Sequence, residues 1–189
     1  MSEVKLSKEE IEIYEQHIIN DTAYDDLFLK NIILTKLRKS KYIIKSLNIG
    51  DYTKSSDEPY SYSKYILPYY LFKPVQTDIN NYICFETSFT EVPRYNDILK
   101  YQQIKFYIVC NCSDGNIIDD EYIVARHDLI AACIIHEFNW CNDLGFQIHL
   151  VSDEPVSLDN AFCGRTLVFQ QTKPNTILKD GKIVDRLGM

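Results

Sequence analysis

The sequence predicts an α+β fold: N-terminal helices, then a mainly antiparallel sheet in the order β-β-α-β-β packed against one helix, with an extended Tyr-rich arm between the two parts. Three observations carry this reading. Apolar residues recur at helical spacing near the N-terminus and again around residues 126–140. They alternate at period two in the strand-like runs that begin at Thr77. The connection between the first two of those runs is too short for a helical crossover, so the two strands pair as antiparallel neighbours.

With 189 residues, the chain can bury the core of one domain and is too short for two ordinary ones and a linker. Its expected parts are a helical part over 1–49, a Tyr/Pro-rich arm or long loop over 50–76, an α+β core over 77–172 and a tail over 173–189. Ser7 and Glu10 match a capping box, and Ile11, Tyr14 and Ile18 follow at helical spacing, so a first helix ends near Asn20. Asp21 can cap a second helix running to about Leu47, with Tyr24, Leu27, Phe28, Asn31 and Leu34 along one side. The basic run KLRKSKYIIK in its last turns suits the negative end of the helix dipole.

Gly50, Asp51 and the polar run TKSSDEP break the helical pattern. PYSYSKYILPYYLFKP follows, from Pro59 to Pro74, and its prolines exclude a regular helix and a central strand. Tyr60, Tyr62, Tyr65, Tyr69, Tyr70 and Phe72 are therefore expected on an extended segment. Aromatic rings bury much area at little rotamer cost, and this run lacks the basic residues that stacking on nucleic acid requires. Protein contact is the favoured use, as an oligomer interface.

In YICFETSFTE, Ile83, Phe85, Thr87 and Phe89 alternate with Cys84, Glu86, Ser88 and Thr90; in QIKFYIVCN, Ile104, Phe106, Ile108 and Cys110 alternate with Lys105, Tyr107, Val109 and Asn111. The acidic loop DGNIIDDE separates these strands from the helical run RHDLIAACIIHEFNW. FQIHLV and RTLVFQQ form a second strand pair, joined by the loop SDEPVSLDNAFCG.

The helix RHDLIAACIIHEFNW carries a His-Asp pair and a His-Glu pair. Helical residues advance about 100° each, so His127 and His136 point in opposite directions and cannot share one metal ion. Position 140, four beyond His136, is Trp, which breaks the zincin pattern. Leu129, Ile130, Cys133, Ile134 and Phe138 share a stripe, as a helix covering a sheet requires. Cys110 and Cys112 with Cys133, His136 or Cys141 would make an incomplete zinc site without a second ligand pair, and free buried thiols are the preferred reading of the six cysteines.

No Gly-rich phosphate loop and no nucleophile elbow is present. A formal charge of −7 argues against sequence-independent affinity for nucleic acid. The N-terminus MSEVKLSKEE is charged where a signal peptide needs an apolar core, and no apolar run approaches bilayer length. The expectation is a protein made and kept in a cytoplasm-like compartment, with no cofactor, no catalytic residue and no membrane partner.

The element order, with the runs ICFETSFTEVPRYND, RHDLIAACIIHEFNW and RTLVFQQTKPN, resembles the tail-completion and tail-terminator proteins that form the neck rings of tailed bacteriophages. The likeness runs from Thr77 to Pro174. The Ile, Lys, Asn and Tyr bias is also similar to that of virion proteins from phages of AT-rich hosts. The resemblance implies a non-enzymatic virion protein at the head-tail junction or upper tail, a ring of about six or twelve copies. Its partners would be itself and other neck, portal-side or tail proteins. Asp114, Asp119, Asp120 and Glu121 would line a lumen and repel phosphate, so that DNA passes without specific binding. Two other readings stay open: a small metal-dependent nuclease or hydrolase using Glu86, Asp97 and His136, and a glycan-binding module on the tyrosine arm.

Overall fold

The computed structural model describes residues 7, 9, 25–48, 64–70, 80–91, 99–114, 116–118, 123–157 and 161–174. The first expected helix lies outside them apart from Ser7 and Glu9, as does the tail beyond Pro174. The described elements are α1 (Asp25–Lys39), α2 (Lys41–Ser46), β1 (Ile66–Leu67), β2 (Tyr82–Glu91), β3 (Leu99–Asn111), β4 (Asn116–Ile118), β5 (Ile123–Ala125), α3 (Arg126–Phe138), β6 (His149–Ser157) and β7 (Phe162–Pro174).

Five strands form one sheet in the order β1-β2-β3-β7-β6, and β4 and β5 form a separate hairpin. Every pairing is antiparallel except β1 with β2. This is the α+β class expected. The period-two pattern sets the register: Phe85 lies opposite Phe106, and Phe106 opposite Leu167, so the apolar positions of neighbouring strands stack on one face.

That inner face meets all three helices. Ile83, Phe85, Ile104, Phe106, Ile108, Leu167 and Phe169 are buried against Leu29, Ile33 and Leu37 of α1, Ile43 and Ile44 of α2, and Ile130, Ala131, Ile134 and Phe138 of α3. Phe106 is the hub, with ring centroids 6.0 Å from Phe85, 5.1 Å from Phe138 and 5.7 Å from Phe169 in an edge-on contact. Full burial of each ring stabilises the fold by roughly 1.5–3 kcal/mol.

The structure differs from the sequence reading in several places. The buried stripe of α1 is Leu29, Ile33 and Leu37, whereas Asn31 is exposed and Leu34 half-buried. Ile32, Ile33 and Leu34 are consecutive and apolar, so local spacing permits more than one stripe, and the contact with β1 and β2 selects among them. The expected single helix to Leu47 breaks at Ser40, which is extended (φ −75°, ψ 108°) and donates through Oγ to Glu137 Oε1 at 2.7 Å. That bond ties the break to α3. On α3, Ala131 belongs to the buried set, while Leu129 and Cys133 are half-buried.

The acidic loop contains β4, and its partner β5 leads directly into α3. The polar run SDEPVS is strand, not loop: β6 continues to Ser157 and pairs with β7 along its length. Pro155 is tolerated because β6 is an edge strand and can lack an N–H there. Within the tyrosine-rich segment, Ile66 and Leu67 form the opposite edge, paired with Ile83 and Cys84. α3 ends at Phe138, and Trp140 just beyond it adopts a left-handed conformation, with φ 62°. Its N–H donates to Ile148 O at 2.7 Å, which turns the chain back toward β6.

Candidate interaction surface

With all the described helices packed on the inner face, the outer face of the sheet carries none among the described residues. Its side chains are the alternate set: Tyr82, Cys84, Glu86 and Ser88 on β2; Gln103, Lys105, Tyr107 and Val109 on β3; Phe162, Thr166, Val168 and Gln170 on β7. The tyrosine-rich segment folds onto one part of this face. Tyr65 lies 6.1 Å from Tyr82 between ring centroids, joining a small cluster with Val109 and Phe162. Tyr70 lies 4.4 Å from Tyr107.

The centre of the face is an electrostatic and aromatic group. Glu86 and Lys105 are register partners across β2 and β3, and the Tyr107 hydroxyl donates to Glu86 Oε2 at 3.2 Å. Lys105 Nζ sits 5.3 Å from the Tyr107 ring centroid, and Lys64 Nζ 5.4 Å from that of Tyr65. Burial, reinforced by the Glu86 carboxylate, pushes the Tyr107 hydroxyl up to about 12. Burial also raises Tyr70, with Cys84 and Glu86 adding to it. Both phenols are therefore neutral donors at ordinary pH. Such a mixture of flat rings, amides and charges of both signs is suited to holding a surface in place, through ring contacts and hydrogen bonds.

Of the residues expected at an oligomer interface, Tyr69 and Tyr70 are 50% and 40% exposed, and Tyr65 is half-buried. Tyr60, Tyr62 and Phe72 lie outside the described residues. So do Asp119, Asp120 and Glu121 of the expected lumen loop; Asp114 closes a single 3₁₀ turn, Cys112–Asp114, after β3. The sequence reading did not single out Tyr107, which is half-buried, or Tyr82 and Phe162, which are buried beneath this face. Their signal is an aromatic or long side chain at the strand position facing away from the core.

The polar ends of α3 go to separate places. His136 is exposed. His127 packs at the start of the helix, with Nδ1 3.6 Å from Cys163 Sγ and Nε2 3.5 Å from Asp128 Oδ1. Arg165 of β7 donates from Nη1 to Asp128 at 2.6 Å and also binds Asp153 on β6. Arg126 is buried and donates from Nη1 to Ser46 O at 3.0 Å, fastening α3 to the end of α2. Glu86 and His136 lie on opposite sides of the sheet, since α3 covers the face away from Glu86; Asp97 is outside the described residues. Among the described residues no group of three or more His, Cys, Asp or Glu is arranged to hold a metal ion, and no helix is long and apolar enough to cross a membrane.

Between α1 and α3 an open cleft of about 470 Å³ is lined by Asn31, Thr35, Lys36, Ser40, Glu137 and Asp143 among others. Four of its polar residues are paired with one another, Lys36 with Asp143 at 2.5 Å and Ser40 with Glu137. Comparison with known proteins finds one family model, described as YomW, matching residues 40–171. That span takes in α2, the whole sheet except the last residues of β7, the β4–β5 hairpin and α3. No curated protein matches the chain.

Proposed function

The chain belongs to the YomW family, and from that premise we propose that it is a structural protein of a phage particle that works by contact and not by catalysis. Family membership is compatible with a phage origin. The finer reading is ours: a ring subunit at the head-tail junction or upper tail, made in the host cytoplasm and carried in the virion. It would join connector to tail by binding itself and portal-side or tail proteins, while DNA passes its acidic loop unbound.

The observation that carries this reading is the outer sheet face, free of helices among the described residues, with Tyr69 and Tyr70 exposed and Tyr65 and Tyr107 half-buried. Rigid aromatic side chains on a partly exposed surface favour protein contact. A heterologous contact made by such a face generates a ring when its rotation closes.

Electron microscopy of the purified protein, alone and mixed with portal-side partners, tests the reading. The expected result is closed rings of about six or twelve copies. A triple variant, Tyr65→Ser, Tyr69→Ser and Tyr70→Ser, should remain folded by circular dichroism and lose the rings. A strictly monomeric protein that never joins a particle would overturn the proposal.

A further inference from the structure

The thiols at the far end of the sheet have no part in the contact surface, and their arrangement is more specific than burial requires. Cys110 and Cys163 are register partners across β3 and β7, and the Cys112 N–H donates to Ala161 O at 2.8 Å, one step further along the same ladder. Cys110 and Cys163 project from the strands toward the start of α3, and Cys112 lies just past the end of β3, in the 3₁₀ turn. There the Cys163 sulfur meets His127 Nδ1 at 3.6 Å and lies within hydrogen-bonding reach of the Cys112 side chain. Cys110 is buried, Cys163 partly so, and Cys112 exposed.

We propose that Cys112 and Cys163 are a redox-active dithiol that closes to an intramolecular disulfide, with Cys112 as the entry thiol and His127 as the base for Cys163.

The division of labour follows from exposure. A small disulfide such as oxidised glutathione can reach Cys112 from solvent. The Cys112 thiolate attacks one sulfur of that disulfide, forming a mixed disulfide and expelling one glutathione thiolate, which takes up the proton that Cys112 gave up. Cys163 then attacks the Cys112 sulfur. Its proton passes to His127 Nδ1, the new bond forms between the two cysteines, and the second glutathione leaves with that proton. Two electrons have moved from the cysteine pair to one glutathione disulfide, which departs as two thiols.

His127 is set up for this step. With Nε2 beside Asp128, the tautomer carrying Nε2–H is favoured, and Nδ1 is left as an acceptor facing the thiol. Arg165 holds Asp128 in turn, so both act as positioning residues. Cys163 needs such a base, because burial and the Cys112 contact push its thiol up to about 11. The geometry also allows closure. Cys112 lies in the 3₁₀ turn Cys112–Asp114 just past β3, so bringing the sulfurs to bonding distance moves that turn and gives up its N–H bond to Ala161 O, while the β3–β7 pairs up to Asn111–Phe162 stay in place.

The test uses the full reduced chain with oxidised glutathione, followed over time by intact mass and by non-reducing peptide mapping. The expected product has lost two hydrogens and links the Cys112 peptide to the Cys163 peptide. Cys163→Ser should trap glutathione on Cys112 as a stable mixed disulfide. His127→Gln should slow closure about tenfold while leaving the first attack on Cys112 unchanged. A wild-type product carrying separate glutathiones on both cysteines, a disulfide at any other pair, or no reaction at Cys112 would overturn the proposal. An unchanged closure rate in His127→Gln would overturn the assignment of the base.

Discussion

Arg165 on β7 bridges Asp128 on α3 and Asp153 on β6, with 2.6 Å between its Nη1 and Asp128 Oδ1. One guanidinium thereby fastens the edge strand and the covering helix to the interior of the sheet. Asp128 in the first turn also complements the positive end of the α3 dipole. All three side chains are partly exposed, which limits the strength of each pair. Arg165→Met should cost about 1–2 kcal/mol in urea unfolding and Asp128→Asn roughly half as much. Raising the salt concentration should shrink both differences.

Gly164 is required by space, not by backbone angle. A Cβ built there would lie 2.1 Å from the carbonyl oxygen of Ile108 on the adjacent strand. Backbone cannot yield as a side chain can, so Gly164→Ala should break the β3–β7 ladder locally and destabilise by about 3 kcal/mol or more. A fall of roughly 10 °C in Tm is expected for a domain of this size. A Tm within the error of the wild type would refute the close approach.

Tyr107 makes alkaline stability a readout of the outer face. Its hydroxyl holds its proton to about 12 in the folded chain, mainly through burial, while the unfolded chain releases it near 10. Between those values the unfolded state binds fewer protons, so stability falls as pH rises. The contribution is fully present below about pH 10 and is lost by about pH 12. Tyr107→Phe should flatten that part of the curve, measured as denaturation midpoint against pH.

Gln171 and Gln102 are buried side by side at the end of the core, with Gln171 Nε2 donating to Gln102 Oε1 at 2.9 Å. Gln171 Oε1 has no hydrogen-bond partner among the described residues. Gln102→Leu would leave the Gln171 amide donor unpaired as well and should cost roughly 1–3 kcal/mol. Replacing both by Leu removes both amides and should recover part of that loss. A double variant less stable than Gln102→Leu would show that the amides have further partners.

The strands of the sheet centre were legible because period two admits little ambiguity when one face is buried: Phe85 and Phe106 could only point inward together. Of β6 only the start was legible, in FQIHLV, since SDEPVS has no apolar alternation and is held as a strand by the thirteen-residue partner β7. Ser40 could not be read as a helix break, because what draws its hydroxyl is Glu137, ninety-seven residues away. The contact surface was half visible. The tyrosines of 65–70 stood out by composition, but their partners Tyr82 and Tyr107 are spread over two strands and meet them only through the parallel pairing of β1 with β2.

By itself the sequence determined the class of fold, the inward face of the central strands and the divergence of His127 from His136, because each depends on the short-range period of the backbone. Only the tertiary structure decided which stripe of α1 is buried, that Tyr70 lies on Tyr107, and that Cys163 meets His127 and Cys112. Those are contacts between segments distant along the chain, and no local spacing encodes them; they exist because the strand order brings β3, β7 and the start of α3 to one place.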